Sequence, residues 1–110
     1  MLLDGAPAGF SLDTEAVVQR RAGTGPYDVG LLFCPDLKRL VDRWDTVHHL
    51  VTPAGRLWVA WPKRASGLQT DLDERLVREH GLASGRVDVK VCAIDATWSG
   101  LAFVVRVSDR

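Results

Sequence analysis

Two short apolar runs, each followed by a stretch of helical periodicity, constrain this chain more than any other feature. Val29-Gly30-Leu31-Leu32-Phe33 and Leu57-Trp58-Val59-Ala60-Trp61 carry no polar residue. An unbroken run of that length is how a strand covered on both faces reads. After the first, Pro35-Asp36 opens a helix in which Leu37, Leu40, Val41, Trp44 and Val47 recur on one side. Lys38, Arg39, Asp42 and Arg43 fall on the other, and Thr52-Pro53-Ala54-Gly55 should end it. After the second, Pro62 closes the strand and a polar loop runs from Lys63 to Gln69. Thr70-Asp71 is then expected to start a helix, with Asp73 and Glu74 in its first turn, Leu72, Leu76 and Val77 buried, and Gly81 at its end.

The remaining elements read differently. In Val87–Ile94, valines at 87, 89 and 91 alternate with Asp88, Lys90 and Cys92, which suits an edge strand whose charges discourage unwanted pairing. Asp95 to Gly100 is a turn, and Leu101 to Val107 returns so soon that it must form an antiparallel hairpin. Right-handed crossovers make the three preceding strands parallel. Met1 to Leu3 reads as the end of a further strand. Asp13 to Arg21 fits either a short helix or a strand at Ala16 to Arg20; Val17-Val18 ahead of a glycine turn favours the strand. The expectation is an α/β fold: a Rossmann-like three-layer sandwich with a mainly parallel sheet, in one domain over residues 1–110.

Composition excludes several classes of function. The chain has 110 residues, 46% of them hydrophobic and 25% charged, the balance of a folded domain rather than a disordered segment. Lys plus Arg and Asp plus Glu number 14 each. That balance offers no footprint for a nucleic-acid backbone, and it allows a homo-oligomer or a protein partner. The expected location is cytoplasmic with no membrane contact, because Met1 to Phe10 lacks a basic start and Asp4 interrupts its apolar residues. Cys34 and Cys92 sit in apolar runs with no CxxC spacing, as small buried hydrophobes do. His48-His49 are adjacent and so diverge on a helix, and His80 lies on another, so no metal site is expected.

Several segments resemble a known group. They are Leu57-Trp58-Val59-Ala60-Trp61-Pro62-Lys63, Ser66-Gly67 with Thr70-Asp71-Leu72, Val87 to Asp95, and Thr97-Trp98-Ser99-Gly100-Leu101. Their WPK, SGxxTDL and DxTWSG patterns resemble an uncharacterised bacterial domain family, from about Tyr27 to Arg106. The order of elements is similar to the C-terminal half of a class I methyltransferase. The resemblance implies a methyltransferase-like fold, a chain shortened before its first strand, and no assigned activity. A methyltransferase would need a glycine-rich turn after the first strand and an acid after the second. Asp4-Gly5-Ala6-Pro7-Ala8-Gly9 matches the first only weakly, and Gln19-Arg20-Arg21 follow Val17-Val18 with no acid. No cofactor is therefore expected.

In open α/β sheets, ligands bind beyond the carboxyl ends of the parallel strands. Four segments should meet there: Gly5-Ala6-Pro7, Cys34-Pro35-Asp36, Lys63 to Asp71, and Asp95 to Gly100. The candidate ligand-binding residues are Lys63, Ser66, Thr70, Asp71, Asp95, Trp98 and Ser99. Lys63, helped by Arg64, suits a carboxylate or phosphate, against the plain reading of a solvated lysine. Ser66-Gly67 can offer backbone donors to an anion or simply form a turn. Thr70 and Asp71 can bind a hydroxyl, but capping explains them first. Asp95 can be a base or an ion-pair partner of Lys63, or a turn former. Trp98 can stack on a ligand or cover the core, while Trp58 and Trp61 should pack against two helix layers. The leading expectation is a non-catalytic module for a protein partner or small ligand. The alternatives are a small enzyme using Lys63, Asp95 and Asp71 as an acid–base cluster, and a residual S-adenosylmethionine binder.

Overall fold

The computed structural model describes residues 1–7, 10 and 25–109. Five strands form one mixed sheet: β1 (Leu2–Asp4), β2 (Tyr27–Phe33), β3 (Val51–Pro62), β4 (Arg86–Ala93) and β5 (Trp98–Val105). Their order across the sheet is β1-β2-β3-β5-β4. β1, β2 and β3 are parallel neighbours, and β5 lies antiparallel between β3 and β4. β4 thus runs in the direction of β1 to β3 while bonding, among the described residues, only to β5, at the edge its alternating charges indicate. The strand expected at Ala16 to Arg20 lies outside the described residues.

Helix α1 (Leu37–Leu50) links β2 to β3, and α2 (Glu74–Ala83) links β3 to β4. Asp36 caps α1 by accepting from the Arg39 amide at 2.9 Å. Leu40, Trp44 and Val47 form the buried stripe of α1. Burying each is worth about 1.5–3 kcal/mol over leaving it in water. Val41, expected in that stripe, is 53% exposed, on the solvent flank of the helix.

The three-layer expectation is corrected among the described residues. The core stripe of α1, with Leu72 and Val77 from α2, joins Leu32, Leu57, Val59, Trp61, Leu101 and Phe103 in one cluster. Trp44 of α1 meets the Phe103 ring edge-on at 5.5 Å and His80 of α2 at 5.3 Å. Both helices therefore share one face. Two crossovers of one hand that step the same way across a sheet must lie on the same side. The opposite face carries Leu3, Leu31, Phe33, Ala60 and Trp98, with Phe10, Trp58 and Ile94 packed on them. Trp58 and Trp61 do point to opposite faces, and among the described residues only Trp61 meets helices.

Three boundaries also move. β3 begins at Val51, one residue before the expected break, and runs through it. Its register jumps from Tyr27↔Val51 to Val29↔Arg56, so Thr52 to Gly55 loop out of the ladder and Pro53 meets no need for a donor. α2 begins at Glu74, capped by Asp73 rather than by Thr70 or Asp71. Gly81 is inside the helix, where a Cβ would strike the Phe103 ring. The helix ends instead at Ser84, followed by Gly85 at a φ of 96°.

Candidate functional site

Because β1 to β4 share a direction, their carboxyl ends open onto one rim, as the sequence requires. Main-chain bonds join these connections. The Cys34 amide donates to the Ala60 carbonyl at 2.8 Å, and the Lys63 amide to the Thr97 carbonyl at 2.8 Å. Pro62 is the ladder partner of Trp98, so Lys63 and Trp98 lie at the same place on the rim.

An open groove of roughly 770 Å³ lies on the helix side of this rim, between the starts of α1 and α2. Asp36 and Asp73, the two caps, stand in its wall with Arg64, Leu68, Gln69, Thr70, Asp71 and Leu72. Asp71 spans it: its Oδ1 accepts from the Leu37 amide at 2.7 Å, adding a second acceptor at the start of α1. Capping was the right physics for Asp71, but the helix it caps is the other one. Thr70 Oγ1 accepts from the Leu72 amide at 3.0 Å, a turn that keeps the chain out of α2 until Asp73.

The expected site residues divide into groups. Thr70 and Asp71 line the groove; Lys63, Ser66, Asp95, Trp98 and Ser99 do not. Ser66 Oγ donates to the Lys63 carbonyl and accepts from the Leu68 amide, so the hydroxyl shapes the short 3-10 turn Arg64–Ser66. Asp95 Oδ1 accepts from the Thr97 and Trp98 amides at 2.8 Å each, fixing the β4–β5 turn. It forms no ion pair with Lys63, whose ammonium has no side-chain partner among the described residues. Trp98 is buried, its ring edge-on to Phe33 at 5.1 Å, and so covers the core. Ser99 sits in β5 opposite Trp61 and Ala93.

The sequence reading missed an ionic cluster on the same rim. Asp4, 7% exposed at the end of β1, accepts from Arg43 Nε at 2.8 Å and Arg39 Nη2 at 3.2 Å. Arg39 and Arg43, assigned to the solvent side of α1, turn back to the sheet. The available signal was their i,i+4 spacing on a helix that passes beside a strand ending in an acid. The Arg39 guanidinium also lies 2.8 Å from where a Cβ on Gly5 would stand, so it fills the space against the first turn. Cys34 is next to this cluster. Burial, with Asp4 and Asp36 nearby, pushes its thiol up to about 12 despite the opposing charge of Arg39. The thiol stays protonated at neutral pH and is no nucleophile.

Further along the sheet, on the face opposite α1 and α2, Met1, Val29, Leu31, Trp58, Cys92 and Ile94 line an apolar hollow of about 220 Å³. No group of three or more metal-binding side chains occurs among the described residues, and no described helix is long and apolar enough to cross a membrane. No family model matches the chain, and no curated protein matches it.

Proposed function

We propose that this chain is a non-catalytic module that holds a small polar ligand in the groove between α1 and α2, on a degenerate methyltransferase-like fold. The observation that carries this reading is how the rim acids are used. Asp36, Asp71 and Asp73 all line the groove, and each receives a main-chain amide on Oδ1 while its second oxygen has no hydrogen-bond donor among the described residues. A ligand bearing hydroxyl or ammonium donors matches those acceptors, and the exposed Arg64 and Gln69 can close over it.

The strand order, with its last strand inserted antiparallel between β3 and β4, supports the methyltransferase-like reading and is consistent with the bacterial family resemblance. Arg39 packed against Gly5 argues against S-adenosylmethionine, because the turn that would admit the cofactor is filled by a side chain of the protein itself. An acid–base cluster of Lys63, Asp95 and Asp71 has less support. Two of its members are engaged in capping main-chain amides, and they stand at different places on the rim.

A thermal-shift series with polyols, amines, nucleotides, acyl metabolites and S-adenosylmethionine tests the proposal. A ligand present at 100 times its Kd stabilises by about 2.7 kcal/mol, enough to move Tm by several degrees. The expected result is a shift with a hydroxyl- or amine-bearing compound that is lost in Arg64→Ala or Gln69→Ala, and none with S-adenosylmethionine. A shift with S-adenosylmethionine that survives both substitutions would overturn it.

A further inference from the structure

The opposite rim holds a buried cation with no carboxylate beside it among the described residues. Arg86, the first residue of β4, is 1% exposed. Its Nε donates to His48 Nδ1 at 2.7 Å, and its Nη2 donates to the carbonyls of His48 at 3.2 Å and Val51 at 3.0 Å. Its Nη1 is buried with no hydrogen-bond partner among the described residues. The guanidinium thus relies on the carbonyl end of α1, the negative pole of the helix, and on one imidazole nitrogen. For Nδ1 to accept, the His48 proton must be on Nε2 and the ring must be neutral. The ring is held in this pose by stacking on Trp44, with centroids 5.6 Å apart and planes 12° from parallel.

We propose that the His48–Arg86 contact is an acid-operated latch tying the last turn of α1 to the first residue of β4. A proton on Nδ1 turns the acceptor into a donor facing a donor, and sets a second cation against the buried guanidinium at a partly buried contact, where screening by water is reduced. Every element packed there contributes to the balance. β4 supplies Arg86, and α1 supplies His49 and Asp45. α2 brings His80, which meets Trp44 edge-on. Of these, only Asp45 favours the protonated ring; burial, Arg86 and His49 all push its proton affinity below the ordinary 6.5. The unfolded chain therefore binds more protons than the folded one in the window below 6.5. The latch stabilises fully above that pH and weakens as pH falls from it toward the lower folded value.

Two measurements test this. Nitrogen NMR of the native chain should show His48 as the Nε2–H tautomer, protonating below 6.5 together with loss of amide protection at Arg86 and Val87. Protonation at or above 6.5 with that protection retained would overturn the latch. The second is the fall in Tm between about pH 7.5 and 5 in the native chain and in His48→Asn, whose amide oxygen can take the place of Nδ1 but does not titrate. The expected fall is smaller in the variant by on the order of 5 °C. An equal fall would contradict the proposal. If the variant does not fold, the NMR titration of the native chain decides alone.

Discussion

Asp4 shows how much one side chain can hold at this scale. It ends a three-residue strand that pairs only with β2 among the described residues, yet its side chain is only 10% exposed, because two arginines of α1 close on it. Removing the carboxylate leaves both guanidiniums facing an apolar strand end. Breaking a fully buried pair costs about 3–5 kcal/mol, and the 35% and 27% exposure of Arg39 and Arg43 reduces this. Asp4→Ala should therefore cost about 1–3 kcal/mol, read as a lower midpoint in urea unfolding at unchanged slope. The two cysteines separate by burial. Cys34 is fully buried with its thiol held up to about 12, and Cys92 is half-buried at the edge of the apolar hollow. A thiol reagent under native conditions should modify Cys92 alone and reach Cys34 only in denaturant, as mass spectrometry of the labelled chain would show. Little of this was legible beforehand. The alternating charges of Val87–Ile94 do mark an edge strand, but both cysteines read as buried in apolar runs, and the pattern does not reveal that Cys92 borders an open hollow. Nor does a helical wheel reveal that Arg39 and Arg43 have an acid to reach.

At the scale of the elements, apolar periodicity was a good guide to type and a poor one to ends. Leu40, Trp44 and Val47 are buried at the spacing that announces α1, and the runs at Val29–Phe33 and Leu57–Trp61 are strands. The ends moved wherever a polar side chain was assigned to the wrong main-chain amide. Thr70 and Asp71 have the chemistry of a helix start, yet Thr70 makes a local turn and Asp71 reaches across to Leu37. That choice depends on where α1 lies in space, which neighbouring residues do not encode. Gly81 reads as a helix terminator for the same reason; its actual role is to let Phe103 approach α2. Gly81→Ala should accordingly destabilise. The gain in helix propensity is about 1 kcal/mol, and displacing a packed aromatic ring costs about 1–3 kcal/mol and often more. A rise in Tm for this variant would mean that Phe103 can move aside freely.

For the molecule as a whole, parallel strands and crossovers decide where chemistry can gather, and this was readable from the order of elements. The rim assembled as expected, with Lys63 and Trp98 side by side, but the expected residues did not form one pocket. Turn formers such as Ser66 and Asp95 look like ligand-binding groups in a sequence because the same oxygens serve both purposes. The groove is instead built from the caps of two helices that meet only in the folded chain. In the proposed function, this groove, rather than the apolar hollow on the other face, receives the ligand. The most direct test is an amide NMR map of the native chain against a library of small polyols, amines and aromatic fragments. Shifts concentrated at Arg64, Gln69, Thr70 and the Leu37 amide, saturating with the polar compounds, are the predicted result. Shifts confined to Val29, Trp58 and Cys92, or saturating binding that leaves the groove amides unmoved, would contradict it.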